Sequence, residues 1–136
     1  MENSIIDHMV LATETASIHK VENYIDDLCT KLNVNSDHYG NILIALTEAV
    51  NNAMNHGNKM NPQKQVKLTC EGCQGSIDFK IEDEGEGFDY DSLPDPTDPE
   101  NIDKPNGRGV FLMKHLADEV EFHDEGKVIE LKFFLS

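Results

Sequence analysis

A chain of 136 residues is the size of one domain and can bury roughly two-thirds of the surface that it exposes when unfolded. With 26 acidic residues against 11 basic ones the net charge is −15, so there is no basic face to meet phosphate backbones or anionic lipid, which argues against nucleic acid and membrane surfaces as partners. No apolar run approaches the roughly 18 residues of a membrane span, Ile5-Ile6 is followed at once by Asp7-His8 rather than continuing as a signal peptide, and the expectation is a cytoplasmic protein.

Residues 5–11 read as a short strand. The spacing of Ile18, Val21, Ile25, Leu28 and Leu32 predicts a helix over residues 14–32, with a core-facing stripe and Thr13 as its N-cap. Asn33-Val34-Asn35-Ser36 breaks that pattern, and Ser36 or Asp37 can cap a second helix. The second helix runs to His56 and is ended by Gly57, with Tyr39, Ile42, Leu43, Leu46, Ala49, Val50 and Ala53 on one apolar face. Glu48, Asn52 and Asn55 then fall on a single polar stripe, at i, i+4 and i+7. A carboxylate and two amides in line offer oxygen ligands to a hard cation such as Mg²⁺, and the carboxylate could orient a hydroxyl or water; a solvated helix face has the same pattern.

Residues 59–65 form a loop. Residues 66–69 and 76–83 read as the strands of a hairpin turning at 71–75. In the second strand Ile77, Phe79 and Ile81 share a face, and parity puts Asp83 on that same apolar side, where a carboxylate needs a donor. The donor could be a backbone amide, a water or a ligand's amino group. The three cysteines fit a reducing compartment. Cys70 and Cys73 have C-x-x-C spacing, but zinc would need a second ligand pair and a redox motif would open a helix, so the pair reads as part of a hairpin turn. Residues 88–106 carry Pro94, Pro96, Pro99 and Pro105 and show no periodicity, and nine acids with no base lie between Asp83 and Asp103. A helix follows over residues 109–117, then a closing hairpin of residues 120–122 and 127–135 turning at 124–126. Phe134 falls on the polar side of the last strand.

Gly107-Arg108-Gly109 at the start of that helix is a candidate phosphate cradle, because glycine lets the backbone approach and helix N–H groups favour an anion. Arg108 is the only arginine in the chain, and Lys104 stands close by in sequence. No P-loop motif is present, and Gly85-Glu86-Gly87 does not complete a dinucleotide fingerprint.

Taken in order, Glu48-x-x-x-Asn52-Ala53-x-x-His56-Gly57, Asp83-x-Gly85-x-Gly87-Phe88 and Gly107-Arg108-Gly109 closely resemble the N, G1 and G2 boxes of the histidine-kinase-like (Bergerat, or GHKL) ATPases. Within that superfamily the resemblance is closest to the small anti-sigma-factor serine/threonine kinases, and it covers nearly the whole chain. It implies an α+β fold, a two-layer α/β sandwich with helices on one face of a mixed, mostly antiparallel sheet, forming a single domain over residues 1–136 with residues 88–106 as an ATP lid. It implies ATP and Mg²⁺ as cofactors. Asn52 would bind the metal, and Asp83 would accept from the adenine amino group. Gly85 and Gly87 would let the chain pass the base, and Gly107, Arg108 and Gly109 would hold the outer phosphates. Asn55, Lys104 and Val110 would complete the nucleotide contacts, and Glu48 would be the general base toward a serine or threonine hydroxyl. The partners implied are a sigma factor and a small antagonist protein, with a possible homodimer. Two function classes stay open: a protein kinase that also sequesters a partner, and a non-catalytic switch that binds ATP or ADP and presents a surface. Glu48 favours the first, because metal and adenine binding do not need it. A sensor histidine kinase fragment fits less well, for the chain has no helix pair carrying a phospho-acceptor histidine.

Overall fold

Two helical stripes and five alternating strands leave one economical solution, in which the apolar faces of both layers meet. The computed structural model describes residues 5–73, 75–85 and 108–135. Strand β1 (Ile5–Ala12) leads into helix α1 (Ala16–Lys31) and helix α2 (Ser36–Asn52), which continues as a π-turn (Ala53–Gly57). Strands β2 (Gln65–Cys73) and β3 (Ser76–Glu82) form a hairpin, and helix α3 (Arg108–Leu116) precedes strands β4 (Glu119–His123) and β5 (Val128–Phe134). The five-stranded sheet has the order β1-β2-β3-β5-β4. All four strand pairings are antiparallel, so the sheet is uniform where a mixed one was expected. The two-layer α+β sandwich itself is as expected.

Alternation along the strands decides what faces the helices. Leu11, Val66, Leu68, Ile77, Phe79, Ile81, Ile129, Leu131 and Phe133 are buried, and Phe79 meets Phe133 edge to face with ring centroids 6.0 Å apart. Val21, Ile25 and Leu28 of α1, Ile42, Leu46, Ala49 and Val50 of α2, and Val110 and Met113 of α3 join them in one core. Helix α2 packs against both α1 and α3 and reaches β3 and β5. Phe134 is exposed on the opposite sheet face, the side that alternation gave it. No helix among the described residues is long and apolar enough to cross a membrane.

The ends of elements depart from expectation for reasons that lie in tertiary contacts. Thr13 does not cap α1; it is buried, donates to the Lys64 carbonyl and accepts from the Asn58 side chain. Thr15 stands at the N-cap without a side-chain cap bond. Helix α2 is capped by Asn35, whose Oδ1 accepts from the His38 amide at 3.0 Å, rather than by Ser36 or Asp37. Strand β2 runs on to Cys73, because pairing with β3 continues to Cys73↔Ser76. Cys70 is therefore mid-strand with a buried thiol, not in a turn, and burial pushes that thiol up to about 11, away from reactive thiolate chemistry.

Candidate functional site

The polar end of the molecule is built where the end of α2 meets the end of β3. The apolar face of α2 carries it down onto the sheet, and its last turn widens into the π-turn, with the Asn58 amide donating to the Ala53 carbonyl at 2.8 Å. At that point Gly57 lies directly against Asp83. A Cβ on Gly57 would stand 2.2 Å from the Asp83 carboxyl carbon, and one on Gly85 would stand 1.8 Å from the Gly57 carbonyl oxygen. Neither site has room for any side chain. Two of the sequence motifs, far apart along the chain, are thus in contact.

Asp83 is 4% exposed. Its Oδ1 accepts from the Gly85 amide at 2.8 Å, and its own amide donates to the Lys127 carbonyl at 3.0 Å, which extends the β3–β5 pairing by one residue. Burial pushes the Asp83 carboxyl above the usual carboxylate range, against the opposing pull of the Gly85 amide and the Lys127 charge. The expectation of an inward carboxylate met by a donor is fulfilled by that backbone amide.

Asn58 holds this junction in place. It is 1% exposed, and its Nδ2 donates to Thr13 Oγ1 and to the Gln65 carbonyl, both at 3.0 Å. Its Oδ1 accepts from the Glu84 amide at 2.8 Å. Glu84 in turn accepts from the Gln65 amide through Oε2. The ends of β1, α2 and β3 and the start of β2 are tied by one side chain. Sequence reasoning missed Asn58, because an asparagine after a helix-ending glycine looks like any loop residue.

On α2 itself, Asn52 is 8% exposed, and its Oδ1 is buried with no hydrogen-bond partner among the described residues. A buried amide oxygen without a donor suits a hard cation, so the residues present fit Mg²⁺. Asn55 is exposed in the π-turn and donates to the Asn51 carbonyl at 2.9 Å. His56 is exposed in the same turn. One turn before Asn52, Glu48 is half-buried beside the start of α3, where a Cβ on Gly109 would lie 3.0 Å from Glu48 Oε2. Val110 is buried in the core beneath that helix start. Arg108 opens α3. Gly87, Lys104, Gly107 and the proposed lid at 88–106 lie outside the described residues. The structure therefore brings Glu48 and Gly109 together at one point along α2, and Gly57, Asp83 and Gly85 together at its end, with Asn52 between.

Comparison with known proteins agrees with this fold. The histidine kinase-like ATPase domain family matches residues 11–133. The chain is 39% identical over 92 residues to a Staphylococcus epidermidis protein named serine-protein kinase RsbW, a match that covers 62% of this chain and 58% of that one. For the Staphylococcus aureus protein of the same name the identity is 36% over 92 residues, with the same coverage of 62% and 58%. For that of Oceanobacillus iheyensis it is 28% over 88 residues, covering 60% and 56%. The matched part is thus less than two thirds of the length of each of these relatives. Among solved structures, the crystal structure of the RsbU and RsbW domains of Rv1364c from Mycobacterium tuberculosis superposes with a TM-score of 0.65 at 13% identity, covering 96% of this chain and 32% of that one, a likeness of fold. With a family match over nearly its full length, this chain belongs to the histidine kinase-like ATPase domain family.

Proposed function

We propose that this chain is an anti-sigma-factor-type regulatory kinase: it binds MgATP, phosphorylates a serine or threonine of a small antagonist protein, and sequesters a partner such as a sigma factor. The observation that carries the proposal is the convergence along α2, with Glu48 beside Gly109 and the Asp83 carboxyl against Gly57. MgATP, when bound, supplies the transferable phosphoryl group and the metal charge that offsets its oxygens. The chain's own residues then divide the work. The Asp83 carboxylate accepts from the adenine amino group, and Gly85, packed on the Gly57 carbonyl, lets the chain pass close to the base. Asn52 offers its buried oxygen to the metal. Gly109, with Gly107, Gly87, Arg108, Lys104, Val110 and Asn55, completes the nucleotide contacts, and residues 88–106 close over it as a lid. Glu48 takes the proton of the incoming hydroxyl, a contribution of roughly 10²–10⁴-fold.

The relatives' name, serine-protein kinase, supports the reaction. We take residues 1–136 as a single domain working in the cytoplasm; the free, buried thiols of Cys29 and Cys70 suit a reducing compartment. We expect a homodimer, as in the family that the motifs resemble; light scattering that gives one chain's mass with and without nucleotide removes that part.

The decisive experiment is single-turnover transfer of labelled γ-phosphate to a partner captured from the native host. Glu48→Gln keeps the shape and removes the base, so it should bind MgATP nearly as the parent chain does and transfer roughly 100-fold more slowly or worse. Unchanged transfer by Glu48→Gln eliminates Glu48 as the base. No transfer by the parent chain to any captured partner favours the nucleotide-dependent binding module instead.

A further inference from the structure

The sheet face turned away from the helices carries a second group of ligating side chains. Strands β4 and β5 place Glu121 directly opposite Glu130, a like-charged cross-strand pair that costs stability when nothing lies between. His123 stands two residues along β4, on the same face. The two carboxylates do not splay apart into solvent. Both turn to one imidazole nitrogen, with His123 Nε2 3.1 Å from Glu130 Oε1 and 3.5 Å from Glu121 Oε2. One ligand atom from each of the three lies within 4.8 Å of the others.

These separations have a chemical meaning. Nε2 carries at most one hydrogen, which cannot bond both carboxylates well at once. A tetrahedral ion with bonds of about 2.0–2.1 Å holds neighbouring ligand atoms about 3.3–3.4 Å apart, and the two measured distances bracket that spacing. An imidazole ligand selects against Mg²⁺ and Ca²⁺, which take oxygen, and for zinc-class transition ions. Glu130 is already held in position to ligate, since its side chain is only 16% exposed.

We propose that Glu121, His123 and Glu130 form a binding site for a zinc-class divalent ion, with one imidazole nitrogen and two carboxylate oxygens as ligands and a fourth position open to water or to a partner's side chain. The site lies on the opposite sheet face from Asp83. Its ion would take no part in nucleotide chemistry; it would add to the charge of Lys80, which stands opposite Glu130 on β3, and pin β4 to β5. The proposal stands independently of the kinase reading.

The test titrates ZnCl₂ alone into the metal-free full chain, followed by calorimetry, with X-ray absorption of the loaded protein to identify the donor atoms. One saturable site with nitrogen and oxygen donors and no sulfur is expected. His123→Ala and Glu130→Gln should each weaken it by about tenfold or more. Asn52→Ala should leave it unchanged, and excess Mg²⁺ should not displace the zinc. His123 and Glu121 are exposed, so their variants should fold, and circular dichroism checks this. Glu121→Gln adds a second surface variant that should also weaken binding. No saturable zinc binding up to millimolar concentration overturns the proposal, as does equal binding by His123→Ala, Glu130→Gln and Glu121→Gln, or sulfur in the absorption spectrum.

Discussion

Asp83 is held in tension between fold and ligand. Its carboxyl has a raised pKa because burial strips its hydration. The folded chain therefore keeps a proton that the unfolded chain has already released. The stabilising share of that proton is complete below the ordinary carboxylate range and is lost as pH climbs toward the raised value. Above that range the buried carboxyl costs stability. Asp83→Asn removes that cost, so the variant should melt at a higher temperature than the parent at pH 7, with the advantage shrinking as pH falls toward 4. The same variant should bind MgATP about 10–100-fold more weakly, since it turns a donor toward the base's own amino group. Melts across pH and calorimetry with nucleotide measure the two halves, and a variant both less stable and fully competent refutes both. The inward aim of Asp83 was legible in the sequence because strand parity is a local rule. Asn58 was not, because its meaning lies in Thr13, Gln65 and Glu84, which only the folded chain brings to it.

Periodicity made the helices legible, and their ends show what periodicity leaves out. Helix α1 closes with Asn33 at φ 56°, with its amide bonded to the Thr30 carbonyl at 3.3 Å and the Val34 amide to the Cys29 carbonyl at 2.9 Å. This is a Schellman cap, in which asparagine stands where glycine is usual. Asn33→Val forces a β-branched residue into the left-handed region and should cost about 1–2 kcal/mol in urea unfolding; Asn33→Gly should be close to neutral. Equal midpoints for the two variants would contradict the cap. Sequence spacing marked a break at this place but not its geometry. The π-turn after α2 was likewise illegible, since it forms where Gly57 meets Asp83 and the start of the neighbouring strand β2, contacts that only the folded chain makes. Strand β2 outran its expected end for a related reason: Glu71 and Gly72 are poor strand formers held by their partners Asp78 and Ile77.

Across the whole molecule, the candidate site is a joint between layers, so a ligand seated there should brace the fold. MgADP at 100 times its dissociation constant should raise the unfolding free energy by about 2.7 kcal/mol, and Asn52→Ala should lose most of that gain at the same nucleotide concentration. Chemical denaturation with and without MgADP reads this directly; a parent chain whose midpoint ignores nucleotide does not bind it. The joint also sets an asymmetry in how this surface can change over generations. What blocks a side chain at position 57 is the Asp83 carboxyl, which a substitution can trim. What blocks one at position 85 is the Gly57 carbonyl, main chain that no substitution shortens. A lineage that replaced Asp83 with a smaller residue would be free to drift at position 57, while position 85 would remain glycine for as long as the two segments touch.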